Sequence, residues 1–314
     1  MYRKFVAGPL MDMDDKHTHE PVMVAEVLEA LPLGPGAIVV DGTLGLAGHS
    51  LRMAERIPGG MLIGLDWDQS MLVEGAALLE PIPGVRFEFR HTDYRDLPGV
   101  VAEVGVQPNA ILLDLGLNSA QIDDPQRGIS FKENGPLDMR MNRAFGEPVA
   151  AILNRMTPGQ IEEMLIEYGD ERWARAIAKV IVERRKTNPL RTTQDLVECV
   201  LDAIPPRARD KQIHPATRTF QACRVYVNAE LDDLQQCIEE AAKTLSPGGV
   251  LVVLSYHSGE DRPTKLALRH LSSTGDFDEL TKKPLTPTEE EVRRNPRSRS
   301  AKLRAIKRKE KTQS

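Results

Sequence analysis

Three aspartates, each placed at the end of a short apolar run, are the residues of this chain best suited to chemistry. They are Asp41, Asp66 and Asp114. Short apolar runs are typical of buried parallel strands, and the carboxyl ends of such strands line one crevice. One aspartate in this position can be only a helix cap. Three of them in register indicate a shared site for a ligand that donates hydrogen bonds to carboxylates.

A glycine-rich turn follows the first of these acids. Gly42, Gly45 and Gly48 come directly after Asp41, and the segment 50–56 resumes with helical spacing. A strand, a glycine turn and a helix start allow a nucleoside-bearing ligand to lie against bare backbone. The turn by itself is a weak signal, since many such turns bind nothing.

The second acid narrows the choice of ligand. Asp66 follows Asp41 by about 20 to 25 residues, the separation at which a carboxylate accepts hydrogen bonds from ribose hydroxyls. The glycine spacing does not match the dinucleotide pattern G-x-G-x-x-G. Asp41, placed before the glycines, would repel a pyrophosphate but could accept from an ammonium group. S-adenosylmethionine therefore fits this site better than NAD.

Strands and helices that alternate along the chain would position these residues. This alternation predicts an α/β fold with a doubly wound, Rossmann-like parallel sheet. The predicted strands are 38–40, 61–65, 85–89, 110–116 and 250–254, and the first predicted helices are 24–30 and 68–79.

The long interval between the fourth and fifth predicted strands has helical periodicity instead. Its predicted helices are 158–168, 171–185, 193–203 and one long helix over 217–245. We therefore predict an inserted all-helical domain over 126–245 that recognises the second substrate. The sheet domain would comprise 17–125 and 246–314, and residues 1–16 would form a disordered leader.

Composition excludes several classes of protein. The chain has 314 residues and a net charge of -5, which argues against a sequence-blind nucleic-acid coat. No apolar run approaches the roughly 20 residues that span a membrane, and the first residues lack a signal core. A cytoplasmic protein without membrane contact is expected. Cys199, Cys223 and Cys237 lack metal-ligand spacing, so we expect reduced thiols and no metal site.

Cations and aromatic residues suggest an RNA surface. The basic run from Arg293 to Lys311 is either a solvated tail or a set of phosphate contacts. Tyr256 and His257, at the end of the fifth strand, could contact a flipped base or form a half-buried structural pair. The candidate RNA-binding residues are Arg207, Arg209, Lys211, His214, Arg218, Tyr256, His257, Arg297 and Arg299.

Several motifs give the chain a close resemblance to the RsmH/MraW family of 16S ribosomal RNA cytosine-N4 methyltransferases. The resemblance runs from about residue 17 to the C-terminus. The motifs are His19-Glu20-Pro21-Val22, Asp41-Gly42-Thr43-Leu44-Gly45, Gly48-His49-Ser50, Leu113-Asp114-Leu115-Gly116, Gly135-Pro136-Leu137-Asp138-Met139-Arg140-Met141, His214-Pro215-Ala216-Thr217-Arg218, Arg224-Val225-Tyr226-Val227-Asn228-Ala229-Glu230-Leu231, His257-Ser258 with Glu260-Asp261-Arg262, and Asn295-Pro296-Arg297-Ser298-Arg299-Ser300-Ala301-Lys302-Leu303-Arg304.

The resemblance implies a reaction and a set of residues. S-adenosylmethionine would be the methyl donor, and the acceptor would be the N4 amine of a cytidine in the decoding region of 16S rRNA, within the small ribosomal subunit. A homodimer is also considered. The donor-binding residues would be Ala47, Gly48, His49, Asp66, Tyr94, Asp114 and Gln121, of which Tyr94 and Gln121 depend mainly on the resemblance.

We assign the catalytic role to Asp114, assisted by Asn118 or Ser119. Groups that accept hydrogen bonds from the N–H groups of a cytosine amine favour the pyramidal geometry that can attack a methyl group. The family usually has Gly, Ser and Leu where this chain has Ala47, Asn118 and Gly259. These departures support one alternative, a non-catalytic RNA-binding or ribosome-assembly factor. Methylation of DNA or protein amines is a second alternative.

Overall fold

A seven-stranded sheet lies at the centre of the described structure, a computed structural model that covers residues 21–310. The predicted leader and the motif residues His19 and Glu20 lie outside the described residues. The strands are β1 (Ile38–Asp41), β2 (Met61–Asp66), β3 (Arg86–His91), β4 (Ala110–Asp114), β5 (Val250–Ser255), β6 (Phe277–Glu279) and β7 (Lys302–Arg308).

The strand order is β3-β2-β1-β4-β5-β7-β6. The first five strands are parallel, and β7 runs antiparallel to both of its neighbours. In the register, Asp41 lies opposite Leu112, and Asp114 lies opposite Leu254. The strand ends therefore meet at one edge of the sheet, which confirms the predicted α/β fold class.

Helices cover both faces of the sheet and fill the interval between β4 and β5. Their starts follow capping rules: the Asp68 carboxylate accepts from Ser70 N at the start of α3, and Thr157 caps α7. The helices are α1 (Val24–Ala30), α2 (Gly48–Ala54), α3 (Gln69–Leu79), α4 (Leu97–Val104), α5 (Ser119–Asp123), α6 (Val149–Arg155), α7 (Pro158–Gly169), α8 (Ala174–Arg184), α9 (Thr193–Ala203), α10 (Thr217–Val227), α11 (Leu234–Lys243), α12 (Ser258–Ser273) and α13 (Glu289–Arg294).

The single long helix predicted over 217–245 is wrong, because the chain breaks between α10 and α11. Ala229 and Asp233 have φ values of 50° and 52° there, in the left-handed region. The side chain of Asn228 turns away to donate to the carbonyl of Met139 at 2.8 Å and to accept from the N–H of Met141 at 2.7 Å. A contact with a distant loop thus ends α10.

The two helices on either side of this break pack in different places. Leu234 and Ile238 of α11 lie in the same buried cluster as Val40 and Leu251 of the sheet. Helices α6 to α10 enclose a separate core, to which Phe220 belongs. The domain division at residues 125 and 246 stays a prediction.

The basic C-terminal run contains an internal strand of the sheet, so a solvated tail is the wrong interpretation for 302–308. Leu303 and Ile306 of β7 are fully buried. Arg304 is buried too, and its Nε donates to Oδ1 of Asp261 at 2.8 Å. Paired cations had concealed a strand between β5 and β6.

The described chain also bears on two compositional predictions. Within residues 21–310, no helix is long and apolar enough to cross a membrane. Cys199, Cys223 and Cys237 are free thiols, and the first two are buried. Burial raises the pKa of Cys223 to about 12, so this thiol stays protonated at neutral pH.

Candidate active site at the strand ends

Asp41 holds the glycine turn in place from below. Its side chain is almost completely buried. Oδ2 accepts from the Ser50 hydroxyl at 2.7 Å, and Oδ1 accepts from the N–H of Thr43 at 3.1 Å. Burial raises its pKa, although these hydrogen bonds and the nearby His49 oppose that change. Asp41 therefore joins β1, the turn and α2.

The turn itself adopts a conformation that favours glycine. Gly45 has a φ of 52° and Ala47 has a φ of 58°. A left-handed alanine costs about 1–2 kcal/mol, so the surrounding packing must stabilise Ala47. Gly48 begins α2 directly beneath Pro21: a Cβ on Gly48 would lie 2.5 Å from Cγ of that proline. The first described residues thus close over the turn.

His49 and Asp114 meet at the centre of the crevice. Nε2 of His49 lies 3.6 Å from Oδ2 of Asp114, which is too long for a hydrogen bond. The histidine is buried, and neither ring nitrogen has a hydrogen-bond partner in the described structure. Asp114 is partly open to solvent, and its backbone N–H donates to the Thr43 hydroxyl at 2.7 Å.

Tyr256, directly after β5, lies beside the same carboxylate. Its ring lies on Gly116, where a Cβ would be 2.4 Å from Cε2 of the ring. Burial raises the pKa of Tyr256 well above its ordinary value, so it acts as a hydrogen-bond donor. Sequence reasoning had offered Tyr256 as an RNA contact and had missed its link to Asp114.

Asp66, at the end of β2, is held by two backbone groups. Oδ2 accepts from the N–H of Gly45 at 2.7 Å, and Oδ1 accepts from the N–H of Asp68 at 2.7 Å. Burial raises its pKa to about 7. Each carboxylate oxygen retains a second lone pair that could accept from a ribose hydroxyl.

Tyr94 and Gln121, the two donor residues inferred mainly from the resemblance, lie on either side of the turn. The Cβ of Tyr94 packs beside Gly42, and its hydroxyl donates to the carbonyl of Glu230 at 3.4 Å. Nε2 of Gln121 donates to Asp68 at 3.0 Å, and its Oε1 accepts from the N–H of Asn118 at 3.1 Å. Gln121 therefore connects the donor side to the loop that follows β4.

The proposed helpers of Asp114 are Asn118, the last residue of that loop, and Ser119, the first residue of α5. Asn118 caps α5 by accepting from the N–H of Ala120 at 2.9 Å. The Ser119 hydroxyl accepts a hydrogen bond from Arg297, whose Nη2 also donates to Asp123 at 2.6 Å. The C-terminal segment thus contacts both ends of this short helix.

Several predicted RNA contacts are engaged within the protein. Arg209 donates to the carbonyls of Leu201 and Ile204, at the end of α9. Arg218 donates to the carbonyl of Asp170 at 3.0 Å. His214, although exposed, lies with its ring 4.6 Å from that of Phe131. The exposed cations of the predicted set are Arg207, Lys211, Arg218, Arg297 and Arg299, of which Arg218 and Arg297 are engaged as described.

His257 belongs to a largely buried charged cluster. Its Nε2 lies 2.9 Å from Oε1 of Glu260, and Glu230 completes a group whose ligand-type atoms fall within 4.8 Å of one another. Arg224 offsets this negative charge by donating to both oxygens of Glu230. The cluster therefore stabilises the junction of α10 with the start of α12.

The crevice suits a sulfonium nucleoside. His49 offers two buried nitrogens that the described protein leaves unpartnered. The Asp66 carboxylate and the turn lie at the same edge, and the Asp114 carboxylate faces them from the next strand but one. This arrangement of a parallel sheet, a glycine turn and strand-end acids defines an S-adenosylmethionine-dependent methyltransferase of the Rossmann-like class.

Comparison with known proteins identifies the family. A model of the MraW methylase family matches residues 16–309, and the chain belongs to that family. The ribosomal RNA small subunit methyltransferase H of Syntrophotalea carbinolica is 41% identical over 307 residues, covering 92% of this chain and 98% of that protein. The protein of the same name from Persephonella marina is 40% identical over 291 residues, covering 92% and 99%.

A solved structure described as a putative rRNA-methylase from Clostridium thermocellum is also similar. It covers 93% of this chain and 100% of its own, with 10% identity and a TM-score of 0.42. That similarity is too low to support a conclusion about function. The family match confirms that the chain is a methyltransferase enzyme with S-adenosylmethionine as its methyl donor.

Proposed function

We propose that this protein methylates the exocyclic N4 amine of a cytidine in the decoding region of 16S rRNA. The observation that carries the proposal is the Asp114 carboxylate, which is partly exposed and lies between the donor-side turn and the α5 loop. The names of the relatives, which specify small-subunit ribosomal RNA, support RNA as the acceptor.

Asp114 is suited to orient an amine. Oδ1 accepts from the N–H of Gly116 at 3.1 Å, and the Tyr256 side chain lies beside this carboxylate. The remaining lone pairs can accept hydrogen bonds from the N–H groups of the cytosine amine and so favour its pyramidal form. The same carboxylate can receive the proton that the amine loses. Tyr256 and Gly116 fix the direction in which Asp114 points.

The donor side has to align rather than activate. S-adenosylmethionine supplies an already activated methyl group when it is bound. We propose that Asp66 binds the ribose of the donor and that Ala47, Gly48 and His49 bind the polar groups of the donor next to the ribose. The near-attack distance for such a displacement is roughly 3 to 3.5 Å, so small shifts of these residues would slow the reaction. Gln121 would couple the position of Asn118 to the donor side, because it bonds to both Asn118 and Asp68.

The RNA contacts follow from the exposed cations. Arg207, Lys211 and Arg299 would contact phosphates, and the target base would leave its stack to reach the crevice. We further propose that the substrate is RNA within the small ribosomal subunit, that the protein acts in the cytoplasm and that it forms a homodimer. Analytical ultracentrifugation of the full chain tests the last of these.

A methyl-transfer assay tests the function. Labelled S-adenosylmethionine would be incubated with unmodified small subunits, naked 16S rRNA, DNA and bulk protein. We expect label in the RNA, and nucleoside mass mapping should place it on N4 of one cytidine. Label only in DNA or protein would show that the acceptor is not RNA. Donor binding without any transfer would favour the non-catalytic assembly factor.

A further inference from the structure

An exposed aromatic side chain stands beside the donor end of the crevice. Phe145 is 59% exposed, although most phenylalanines are largely buried. Its ring stacks on Trp67, with centroids 5.3 Å apart and planes 26° apart. Trp67 directly follows Asp66 in sequence and lies 6.3 Å from the ring of His91. One face of Phe145 is thus supported, and the other is open to solvent.

The loop that carries Phe145 is rigidly built. The guanidinium of Arg140 lies at its centre and donates to the carbonyls of Arg143 and Gly146, each at 3.1 Å. The same guanidinium pairs with both carboxylate oxygens of Asp138, at 2.7 and 3.0 Å. A loop held in this way loses little conformational entropy when a ligand binds to the side chain that it carries.

Two further contacts fix the loop to the rest of the protein. Nδ2 of Asn142, which is buried, lies 3.3 Å from Nε2 of His91 on β3. The N–H of Met141 donates to Asn228 at the end of α10 at 2.7 Å. The loop therefore bridges the sheet and the helical region, and its contacts hold Phe145 out into solvent.

The surroundings favour a nucleic-acid base as the ligand. Arg143 is exposed two residues before Phe145, and its Nη2 donates to the carbonyl of Gln126 at 2.6 Å. Arg155, on α6, is also exposed and pairs with Glu147, two residues after Phe145. Aromatic rings flanked by arginines bind single-stranded nucleic acid, since every base has a face that can stack. The donor nucleoside is less suited to this place. We assign the donor ribose to Asp66, and Trp67, the next residue, separates Asp66 from the Phe145 ring.

We propose that the open face of Phe145 stacks an unpaired base of the RNA substrate that flanks the target nucleotide. This inference rests on the proposed function and deepens it by adding a recognition site outside the crevice. Stacking there would hold the RNA strand beside the donor while the target base enters. Trp67 supports the platform, and Arg143 would contact the adjoining phosphate.

Substitution of Phe145 tests this site in the full-length protein. Phe145→Ala should raise the KM for small subunits roughly 5- to 100-fold, with little change in donor affinity measured by calorimetry. Phe145→Trp should keep the KM close to that of the wild type, because tryptophan can also stack on a base. Leu280→Ala is the matched control, since Leu280 is 48% exposed and follows β6 at the opposite edge of the sheet.

A binding measurement that needs no methylation separates this inference from the proposed function. RNA fragments carrying 2-aminopurine beside the target position should be quenched by the wild type and not by Phe145→Ala. An unchanged KM and unchanged quenching would overturn the platform while leaving the reaction intact. An equal loss of donor affinity would overturn it too, because Phe145 would then serve the donor. Absence of methylation by the wild type would instead refute the proposed function.

Discussion

The two halves of the crevice are assembled in different ways. On the donor side, the contacts that hold the glycine turn join residues close in sequence: Asp41 accepts from Ser50, and Asp66 accepts from Gly45, 21 residues away. On the acceptor side, the Ser119 hydroxyl contacts Arg297 across 178 residues. The donor half is thus formed by a local motif, whereas the acceptor half forms only when segments distant in sequence have come together.

This difference sorts the expected effects of mutation. Donor-side contacts inside the protein maintain the turn, so their loss should reduce stability. Acceptor-side contacts set the direction of groups that face the substrate, so their loss should reduce rate. The following changes test that division in order of expected effect.

Asp114→Ala should produce the largest effect on rate. It removes the carboxylate that we assign to the cytosine amine. Loss of a preorganised hydrogen-bonding group costs about 10²–10³ in rate. Single-turnover methylation measures it, and circular dichroism checks the fold. A rate within a few-fold of wild type would remove Asp114 from catalysis.

Asp41→Ala should lower stability more than any other change in the crevice. The variant leaves the buried Ser50 hydroxyl and the partly buried Thr43 N–H without their acceptor. Each unsatisfied buried group costs about 1–3 kcal/mol, so the free energy of unfolding should fall by roughly 2–5 kcal/mol. Urea unfolding measures the change. Equal stability accompanied by weaker donor binding would place Asp41 on the ligand instead.

This contrast also explains what the sequence could predict. The turn, Asp66 and the strand ends were found because their contacts are local and because parallel strands align their carboxyl ends. Helices α1 and α9 were predicted at their observed bounds for the same reason. Hydrophobic periodicity and capping residues are both read over a few neighbouring positions.

Long-range contacts were beyond sequence reasoning. Lys302–Arg308 looked like part of a basic tail because the partner that buries Arg304, Asp261, lies 43 residues away. The break after α10 depends on Asn228 reaching a loop 87 to 89 residues distant. The arginine at 297 was predicted to bind RNA, and nothing near it in sequence pointed to Ser119.

Arg297→Ala tests whether the C-terminal segment positions the acceptor loop. The variant frees both ends of α5, so kcat should fall roughly 10- to 100-fold, the cost of a displacement of about 1 Å. Donor affinity should change little, and Arg297→Lys should recover part of the rate. Measurement of kcat and KM separates this effect from RNA binding.

Arg299→Ala is the matched control for that variant, two positions along the same segment and exposed. If it contacts phosphate, it should raise the KM for RNA and reduce its salt dependence while kcat stays constant. Should Arg297→Ala behave in the same way as Arg299→Ala, Arg297 contacts RNA and does not position the loop.

The smallest expected effect is a pH dependence on the donor side. Asp66 has a pKa of about 7 in the folded protein against an ordinary value of 3.8, because it is buried. The folded state therefore retains a proton that the unfolded state releases, so the stability from this group is complete below about pH 4 and is lost as pH rises to about 7.

Donor binding should follow the opposite trend. If ribose hydroxyls bind the ionised carboxylate of Asp66, donor affinity should increase about 10-fold from pH 6 to pH 8, with release of a proton. Calorimetry in two buffers of different ionisation enthalpy measures that proton. The Asp66→Asn variant should show neither the affinity change nor the proton release. A wild-type affinity that is flat over this range would exclude the contact between the ribose and Asp66, and the donor half would then depend on the turn and His49 alone.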